Sequence, residues 1–256
     1  MSTSPKCPKC SFTANSSFKE CPRCGVIVSK FLQKSKGDRQ ADRRDAARNN
    51  SGLENLAQAN VLTIRQQKEW GEILTGFETK NKYEVLDHFS NPLFEVHEEG
   101  GSALTVITRM FLKALRPFTM HLFSAQGAGQ FKLVRPFRFY FHELDVSRSN
   151  GAPLGKIKRR FALLRRIYSV LDRNGNEIFE LFGPLLHPWT FQIKKGDREL
   201  GKITKKWSGL AKESFTDADN FGITFPKGID LSQKAVLLGA VFLIDFIHFE
   251  NSGNRN

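Results

Sequence analysis

Four cysteines are the residues whose spacing most directly indicates chemistry. They form two Cys-x-x-Cys pairs, Cys7 with Cys10 and Cys21 with Cys24, and the chain has no others. Each pair presents two thiolates from one tight turn, and four thiolates complete a tetrahedral zinc site with no open position. The sequence therefore predicts a structural Zn²⁺ site in a zinc-ribbon-like module over residues 1–33. The pattern leaves open whether the ribbon binds nucleic acid, binds protein or caps a chain end.

A second group of potential metal ligands is acidic. Asp217, Asp219 and Gly222 have the spacing of positions 1, 3 and 6 of a calcium-binding loop. Position 12 is Gly228, where an EF-hand has a bidentate glutamate. Two interpretations follow: a weak calcium site, or a structural turn in which the aspartates accept backbone hydrogen bonds.

Positive charge is concentrated in two parts of this chain of net charge +13, namely residues 1–50 and 151–210. Such concentration indicates an anionic partner, acidic lipid or nucleic acid, and the alternative is a solvated basic surface. In the second part the cations are interleaved with apolar residues, which suits an anionic membrane, where each cation contributes about 1 kcal/mol. The candidate lipid-binding residues are Lys156, Lys158, Arg159, Arg160, Arg165, Arg166, Lys202, Lys205, Lys206 and Trp207.

The residue pattern does not indicate an enzyme. The six histidines are scattered, and the sequence has no Ser or Cys nucleophile motif and no glycine-rich phosphate loop. The first residues lack the apolar region of a secretory signal. We therefore expect a non-enzymatic protein on the cytoplasmic side that is not secreted.

The segment after the ribbon is expected to be a linker and a helix. Residues 34–51 have almost no large apolar groups, which predicts a charged linker. From Leu53 onward apolar residues recur at roughly helical spacing, which predicts a helix reaching about residue 75. The helix could pack against the next domain or pair with another chain. Residues 34–79 thus form the second part of the predicted organisation.

From Tyr83 the pattern changes to short runs rich in Val, Ile and Phe, separated by Asn, Gly and Pro, which indicates strands. Two internal matches at one offset predict two similar antiparallel halves: Tyr83–Asp87 with Tyr168–Asp172, and Asn91–Glu95 with Asn176–Glu180. A second echo relates Gly155–Phe161 to Gly201–Trp207. Further strands are expected at 103–109, 130–134, 137–145 and 189–195.

The C-terminal apolar segment predicts a helix at about 232–249. Ala235–Ile244 is uncharged and mostly apolar, but it is shorter than the about 20 residues that span a bilayer, and Asp245 follows directly. A helix that is apolar on all sides is otherwise a buried one. We expect it inside a barrel, with Asp245 partnered by a backbone N–H or a basic side chain. The alternative is a membrane anchor.

Thr216–Pro226 and Ala240–Glu250, an acidic turn and then an apolar segment, together resemble the C-terminal signature of the phospholipid scramblase family. The resemblance covers roughly residues 80–250. It implies a mainly β, tubby-like fold in residues 80–252, a closed antiparallel β-barrel of two similar halves around a buried C-terminal helix. It also implies a Ca²⁺ site formed by Asp217, Asp219, Asn220 and Asp230.

The resemblance implies a protein that binds anionic phospholipids at a membrane, in the first place the plasma membrane. It further implies calcium-dependent, bidirectional phospholipid movement between leaflets. Animal members carry a Pro-rich N-terminal tail and a palmitoylated cysteine cluster, whereas Gly183–Trp189 of this chain contains no cysteine. The alternative function is a soluble interaction module that binds nucleic acid or protein without lipid transport.

Overall fold

The computed structural model describes two compact units, Met1–Asn50 and Ser51–Asn256. Within them it describes residues 6–13, 18–32, 52–67, 82–99, 117–138, 141–162, 165–205 and 220–249.

The described part of the N-terminal unit has two similar cysteine knuckles followed by a short helix, α1, at residues 28–32. Ser11 donates its backbone N–H to Cys7 O, and Gly25 does the same to Cys21 O, four residues after the first cysteine of each pair. Both residues have positive φ, 57° for Ser11 and 67° for Gly25, so each knuckle needs a left-handed residue at this place.

The second unit is a closed antiparallel barrel. Each strand pairs with its neighbours in sequence, and β1 also pairs with β12, which closes the sheet. The described strands are β1 (Val61–Gln67), β2 (Lys82–Leu86), β3 (Pro92–Glu98), β4 (Phe118–Ser124), β5 (Gly129–Arg135), β6 (Glu143–Arg148), β7 (Pro153–Arg159), β8 (Arg166–Asp172), β9 (Glu177–Gly183), β10 (Thr190–Lys195), β11 (Arg198–Lys205) and β12 (Asn220–Thr224). A short helix, α2, at residues 52–58 precedes β1.

A long helix fills the barrel. This helix, α3 (Leu231–His248), is buried at every residue from Lys234 to Phe246, and its apolar side chains belong to one core with the inward side chains of the strands. A side chain at Gly239 would lie 2.9 Å from Val146 Cγ2, so the absence of one lets the helix approach β6. The barrel around a buried C-terminal helix confirms the predicted fold class.

The N-terminal end of α3 is anchored by a helix cap and by a buried lysine. Asp230 caps the helix by accepting the N–H of Gln233 at 2.8 Å, and Gln233 accepts the N–H of Asp230 in return. Lys234 is buried and donates to Ala57 O and Ala59 O at 2.6 and 2.7 Å. These carbonyls are at the end of α2, where a cation also meets the negative end of the helix dipole.

The expected helix through residue 75 is wrong for residues 61–67, which form strand β1 between β2 and β12. The barrel therefore begins before residue 80. Residues 130–134 and 189–195 are confirmed as strands in β5 and β10, the latter from Thr190. Of residues 137–145, the described ones before Glu143 are not strand. The strand expected at 103–109 and the linker at 34–51 lie outside the described residues.

The internal repeat corresponds to two equivalent hairpins. Asp87 between β2 and β3 accepts the N–H groups of Phe89 and Asn91, both at 2.8 Å, and the side-chain amide of Asn91. Asp172 between β8 and β9 makes the same three contacts, with Asn174 and Asn176. The repeated Asp and Asn residues are therefore the ones that close the two turns.

The second internal match, Gly155–Phe161 with Gly201–Trp207, also has a physical reason. A side chain on Gly155 would collide with the carbonyl oxygen of Leu171 on β8 and would lie 2.8 Å from Val236 of α3. On Gly201 it would collide with the carbonyl oxygen of Thr224 on β12. Both glycines thus allow close approach of a neighbouring backbone.

We expect Gly155→Ala to lower the free energy of unfolding by about 1–3 kcal/mol, because backbone must move to admit the methyl group. Gly129→Ala is the matched control, since its added Cβ would lie 3.5 Å from Ser149 Cβ, an ordinary contact. Urea denaturation of both variants measures the difference. Equal stabilities would contradict the close approach at Gly155.

Candidate metal centre and basic surface

The four cysteines come together as the sequence predicts. Their sulfur atoms all lie within 4.8 Å of one another, with Cys7 Sγ 3.8 Å from Cys24 Sγ and Cys10 Sγ 3.6 Å from Cys21 Sγ. Sulfur atoms about 2.3 Å from a tetrahedral zinc ion are about 3.8 Å apart, so the cluster fits the ion. All four are free thiols. The arrangement can bind one metal ion.

The backbone of the first knuckle favours a thiolate at Cys7, whereas at Cys24 the N–H of Val26 is outweighed by burial and the neighbouring thiols, which raise the pKa of Cys24 to about 12. Burial opposes ionisation of Cys7, but the N–H groups of Cys10 and Lys9 and the neighbouring thiols outweigh it, and the pKa falls to about 6. A thiolate is the form of cysteine that ligates a metal. The donor set and its geometry therefore fit a metal ion.

The proposed calcium ligands do not form one described cluster. Asp217 and Asp219 lie outside the described residues. Asn220 begins β12, and its buried Oδ1 has no hydrogen-bond partner within the described part of the chain. Asp230 follows β12 at the other end of that strand and caps α3. Asn220 and Asp230 therefore lie at opposite ends of β12, and the four-residue calcium set stays a prediction.

The basic residues divide by the side of the sheet on which they lie. Lys158 and Lys202 are exposed, and they alternate with buried Ile157 and Ile203. Lys156 points outward too, and its Nζ lies 3.0 Å from Asp145 and 3.7 Å from Glu143. These carboxylates partly neutralise it.

The arginines around the β7–β8 connection differ in their contacts. Arg160 forms an ion pair with Glu180 at 2.8 Å, and Arg165 is exposed. Arg166 donates to the carbonyls of Pro184 and Pro188 at 3.0 and 2.6 Å, so it holds the β9–β10 connection. Arg159 is half-buried, and Lys206 and Trp207 lie outside the described residues.

Lys205 does not belong to the exposed basic surface. It is 8% exposed, and its Nζ lies 3.5 Å from Asp245 Oδ1 of α3. The same ammonium group lies over the rings of Phe221 and Phe249, at 5.2 and 4.8 Å. The prediction that a basic side chain partners Asp245 is confirmed, while the assignment of Lys205 to lipid binding is wrong.

Two tyrosines of the repeat complete a polar layer at the C-terminal end of α3, which sequence reasoning missed. Tyr83 donates to Asp245 Oδ2 at 2.9 Å, and Tyr168 is 2.7 Å from His248 Nε2. Burial, with the positive charges of Arg166 and Arg159, lowers the pKa of His248 to about 3, so its ring is neutral, and its tautomer sets which of His248 and Tyr168 donates. The sequence signal for this layer is that the two tyrosines occupy the same position of the internal repeat, 85 residues apart.

Among the described helices, α3 alone has the length and apolar composition of a membrane span. Most of it is buried inside the barrel.

Comparison with known proteins assigns the family. A family model described as Scramblase matches residues 43–251. Phospholipid scramblase 1 of Mus musculus is 36% identical over 218 residues, 80% of this chain and 65% of that protein. The human protein of that name is 34% identical, with 67% of its length covered, and human phospholipid scramblase family member 5 is 31% identical, with 78% covered.

A solved structure of a protein from Arabidopsis thaliana is also similar, with a TM-score of 0.42 and 14% identity over 74% of this chain and 94% of that one. The chain spans about two thirds of the length of the scramblase 1 relatives. The family model and these relatives show that the chain belongs to the scramblase family. The family model and these relatives favour a scramblase-family protein over the alternative of a soluble interaction module.

We expect the purified protein to carry one tightly bound zinc ion per chain, and Cys21→Ser to lose it, because three thiolates leave the tetrahedron incomplete. Metal analysis and the absorption spectrum of the cobalt(II)-substituted protein measure this. Lys9→Ala, which changes an exposed knuckle residue without removing a ligand, serves as control. Zinc retained at the wild-type level in Cys21→Ser would contradict the site.

We expect stability to fall as the pH drops below about 6.5, because His248 has a folded-state pKa of about 3 and the unfolded chain takes up the proton first. His142, whose pKa burial and Arg135 lower to about 4, acts in the same direction. His248→Gln keeps a hydrogen-bonding partner for Tyr168 and should reduce the slope by up to about 1.4 kcal/mol per pH unit. Urea denaturation between pH 7 and 4.5 tests this, and identical slopes would contradict it.

Proposed function

We propose that this protein binds anionic phospholipid at the cytoplasmic face of a membrane and mediates bidirectional phospholipid movement between leaflets. The observation that carries the proposal is the family match over residues 43–251, with relatives named phospholipid scramblases. The net charge of +13 supports an anionic partner. The plasma membrane is the proposed location.

The filled barrel constrains the path a lipid could take. The helix residues from Lys234 to Phe246 are buried, and the inward side chains of the strands pack against them. A phospholipid headgroup is larger than any gap that a close-packed interior leaves. We therefore place lipid movement along the outside of the sheet rather than through it.

The outward cations of β7, β11 and the β7–β8 connection are the proposed lipid contacts. Lys158, Lys202 and Arg165 are exposed and form no ion pair with another described residue, which makes them the stronger members of the set. Lys156 and Arg160 share their charge with neighbouring carboxylates and contribute less. Each exposed cation near an acidic membrane contributes about 1 kcal/mol.

Two metals belong to the proposal with different roles. A structural zinc ion in the four-cysteine cluster would hold the N-terminal unit together, because a unit of this size depends on its metal for folding. Calcium would act through Asp217 and Asp219. With few carboxylates the affinity would be in the range of about 10⁻⁴–10⁻³ M.

The test is reconstitution of the zinc-loaded full chain into liposomes carrying a fluorescent phospholipid in both leaflets. A membrane-impermeant reductant bleaches the outer leaflet alone unless lipids cross. We expect bleaching beyond the outer-leaflet share in the presence of calcium, and loss of this excess in Asp217→Ala.

Asp197→Ala is the control for that variant, since it removes a carboxylate from the exposed turn between β10 and β11. It should behave as the wild type. Bleaching that stops at the outer-leaflet share, with protein bound to the vesicles, would leave lipid binding and reject lipid movement. Bleaching beyond the outer-leaflet share without calcium would reject the role of Asp217 in calcium dependence and would leave lipid movement in place.

A further inference from the structure

The two ends of the barrel differ in the length of their connections. Because successive strands are antiparallel, connections alternate between the ends. One end, which we name the turn end, has tight turns at residues 87–91, 125–128, 149–152, 173–176 and 196–197. The opposite end includes the β5–β6, β7–β8 and β9–β10 connections. We name the described residues of these three connections, 136–138, 141–142, 160–162, 165 and 184–189, the loop end; Glu99 and Pro117 of the β3–β4 connection lie at the same end of the barrel.

Exposed apolar side chains collect at the loop end. Leu186 is 89% exposed, Phe161 82%, Leu185 63% and Phe141 56%, and Phe137 and Trp189 are partly exposed. At the turn end Phe89 is the one large apolar side chain exposed among the described residues. The four most exposed apolar side chains of the loop end stand on three adjacent connections of that end, so they belong to one surface.

The charge of the loop end is positive. The described residues of the β5–β6, β7–β8 and β9–β10 connections include Arg138, Arg160 and Arg165 and no acidic residue, while Glu99 of the neighbouring β3–β4 connection lies 3.3 Å from His121 Nε2. Two of these arginines pair with carboxylates on the strands: Arg138 lies 2.9 Å from Glu143 and Arg160 lies 2.8 Å from Glu180. Arg165 is exposed, with its guanidinium 6.0 Å from the ring of Phe182.

The most exposed loop is held in place. Arg166 donates to three backbone carbonyls of the β9–β10 connection, those of Pro184, His187 and Pro188. Trp189 stacks on Phe249 at the end of α3, with ring centroids 5.3 Å apart. Leu185 and Leu186 are therefore presented to solvent by a fixed backbone, and little ordering is needed when they bind.

We propose that the loop end is the surface by which the protein contacts an anionic bilayer. Phe141, Phe161, Leu185 and Leu186 enter the boundary between headgroups and acyl chains, while the arginines meet lipid phosphates and carboxylates. Apolar tips with cations beside them, and a tryptophan at the margin, match the chemistry of that boundary. This inference rests on the proposed lipid binding and locates it.

The test uses the full zinc-loaded chain and sedimentation with vesicles of phosphatidylcholine containing phosphatidylserine. A triple variant combines Phe161→Ser, Leu185→Ser and Leu186→Ser. We expect it to bind these vesicles at least about tenfold more weakly than the wild type, because three apolar groups no longer enter the membrane. Phe89→Ser, the matched change at the turn end, should bind as the wild type. Arg165→Gln should lose about fivefold on these vesicles and nothing on phosphatidylcholine alone.

Thermal unfolding of each variant checks that the barrel is intact. A folded triple variant that binds like the wild type would overturn the inference while lipid binding stands. A wild-type protein that binds neither vesicle would overturn the proposed function, and this inference with it.

A second measurement reports position directly and does not depend on weakened binding. In the background Trp70→Phe, Trp207→Phe, a tryptophan replaces either Leu186 or Phe89. On vesicle binding, L186W should show a blue shift of emission and quenching by brominated acyl chains, and F89W should show neither beyond the signal of Trp189. Quenching in F89W alone would place the membrane at the turn end and overturn the inference.

Discussion

The apolar helix inside the closed barrel is the constraint on which the rest of the structure depends. A closed sheet of this size has an interior that must be filled, and here the residues from Lys234 to Phe246 fill it. Because α3 is surrounded by strands, every polar group it carries inward needs a partner inside the protein. Lys234 finds the carbonyls at the end of α2, and Asp245 finds Lys205 and Tyr83. The polar residues at the two ends of the helix thus fix where the surrounding structure must supply polar partners.

The internal repeat has a similar origin. Its Asp and Asn residues close two equivalent hairpins, and its tyrosines, Tyr83 and Tyr168, point inward to the last turns of one helix. The barrel is similar in its two halves, but the helix is not, so the tyrosines meet different groups, Asp245 and His248. A carboxylate needs a cation as well, which Lys205 supplies, whereas a neutral imidazole does not. The asymmetric interior therefore explains why one buried lysine lies on β11.

Features that depend on the spacing of residues along the chain could be predicted from the sequence. Features that depend on which face of a strand a residue occupies could not. The cysteine cluster follows from two short motifs, and the buried helix from its length and from Asp245. The spacing predicts a helix where strand β1 lies because Val61 and Ile64 continue the apolar spacing of the preceding segment, and a short apolar run fits both periods. Lys205 was assigned to the surface from charge alone. The alternation of buried Ile203 and exposed Lys202 would have placed Lys205 inside, once β11 was known to be a strand.

The position of α3 decides how the protein can meet a membrane. Its 18 residues rise about 27 Å, close to the about 30 Å of a hydrocarbon core, so length alone permits crossing. Crossing would nevertheless empty the barrel and expose inward rings such as Phe94 and Phe131 to water. It would also separate Asp245 from Lys205 and bring a carboxylate into hydrocarbon, at a cost of at least about 2.5 kcal/mol. A helix held at both ends by buried polar contacts is part of the fold, and membrane contact therefore falls to the outer surface of the barrel.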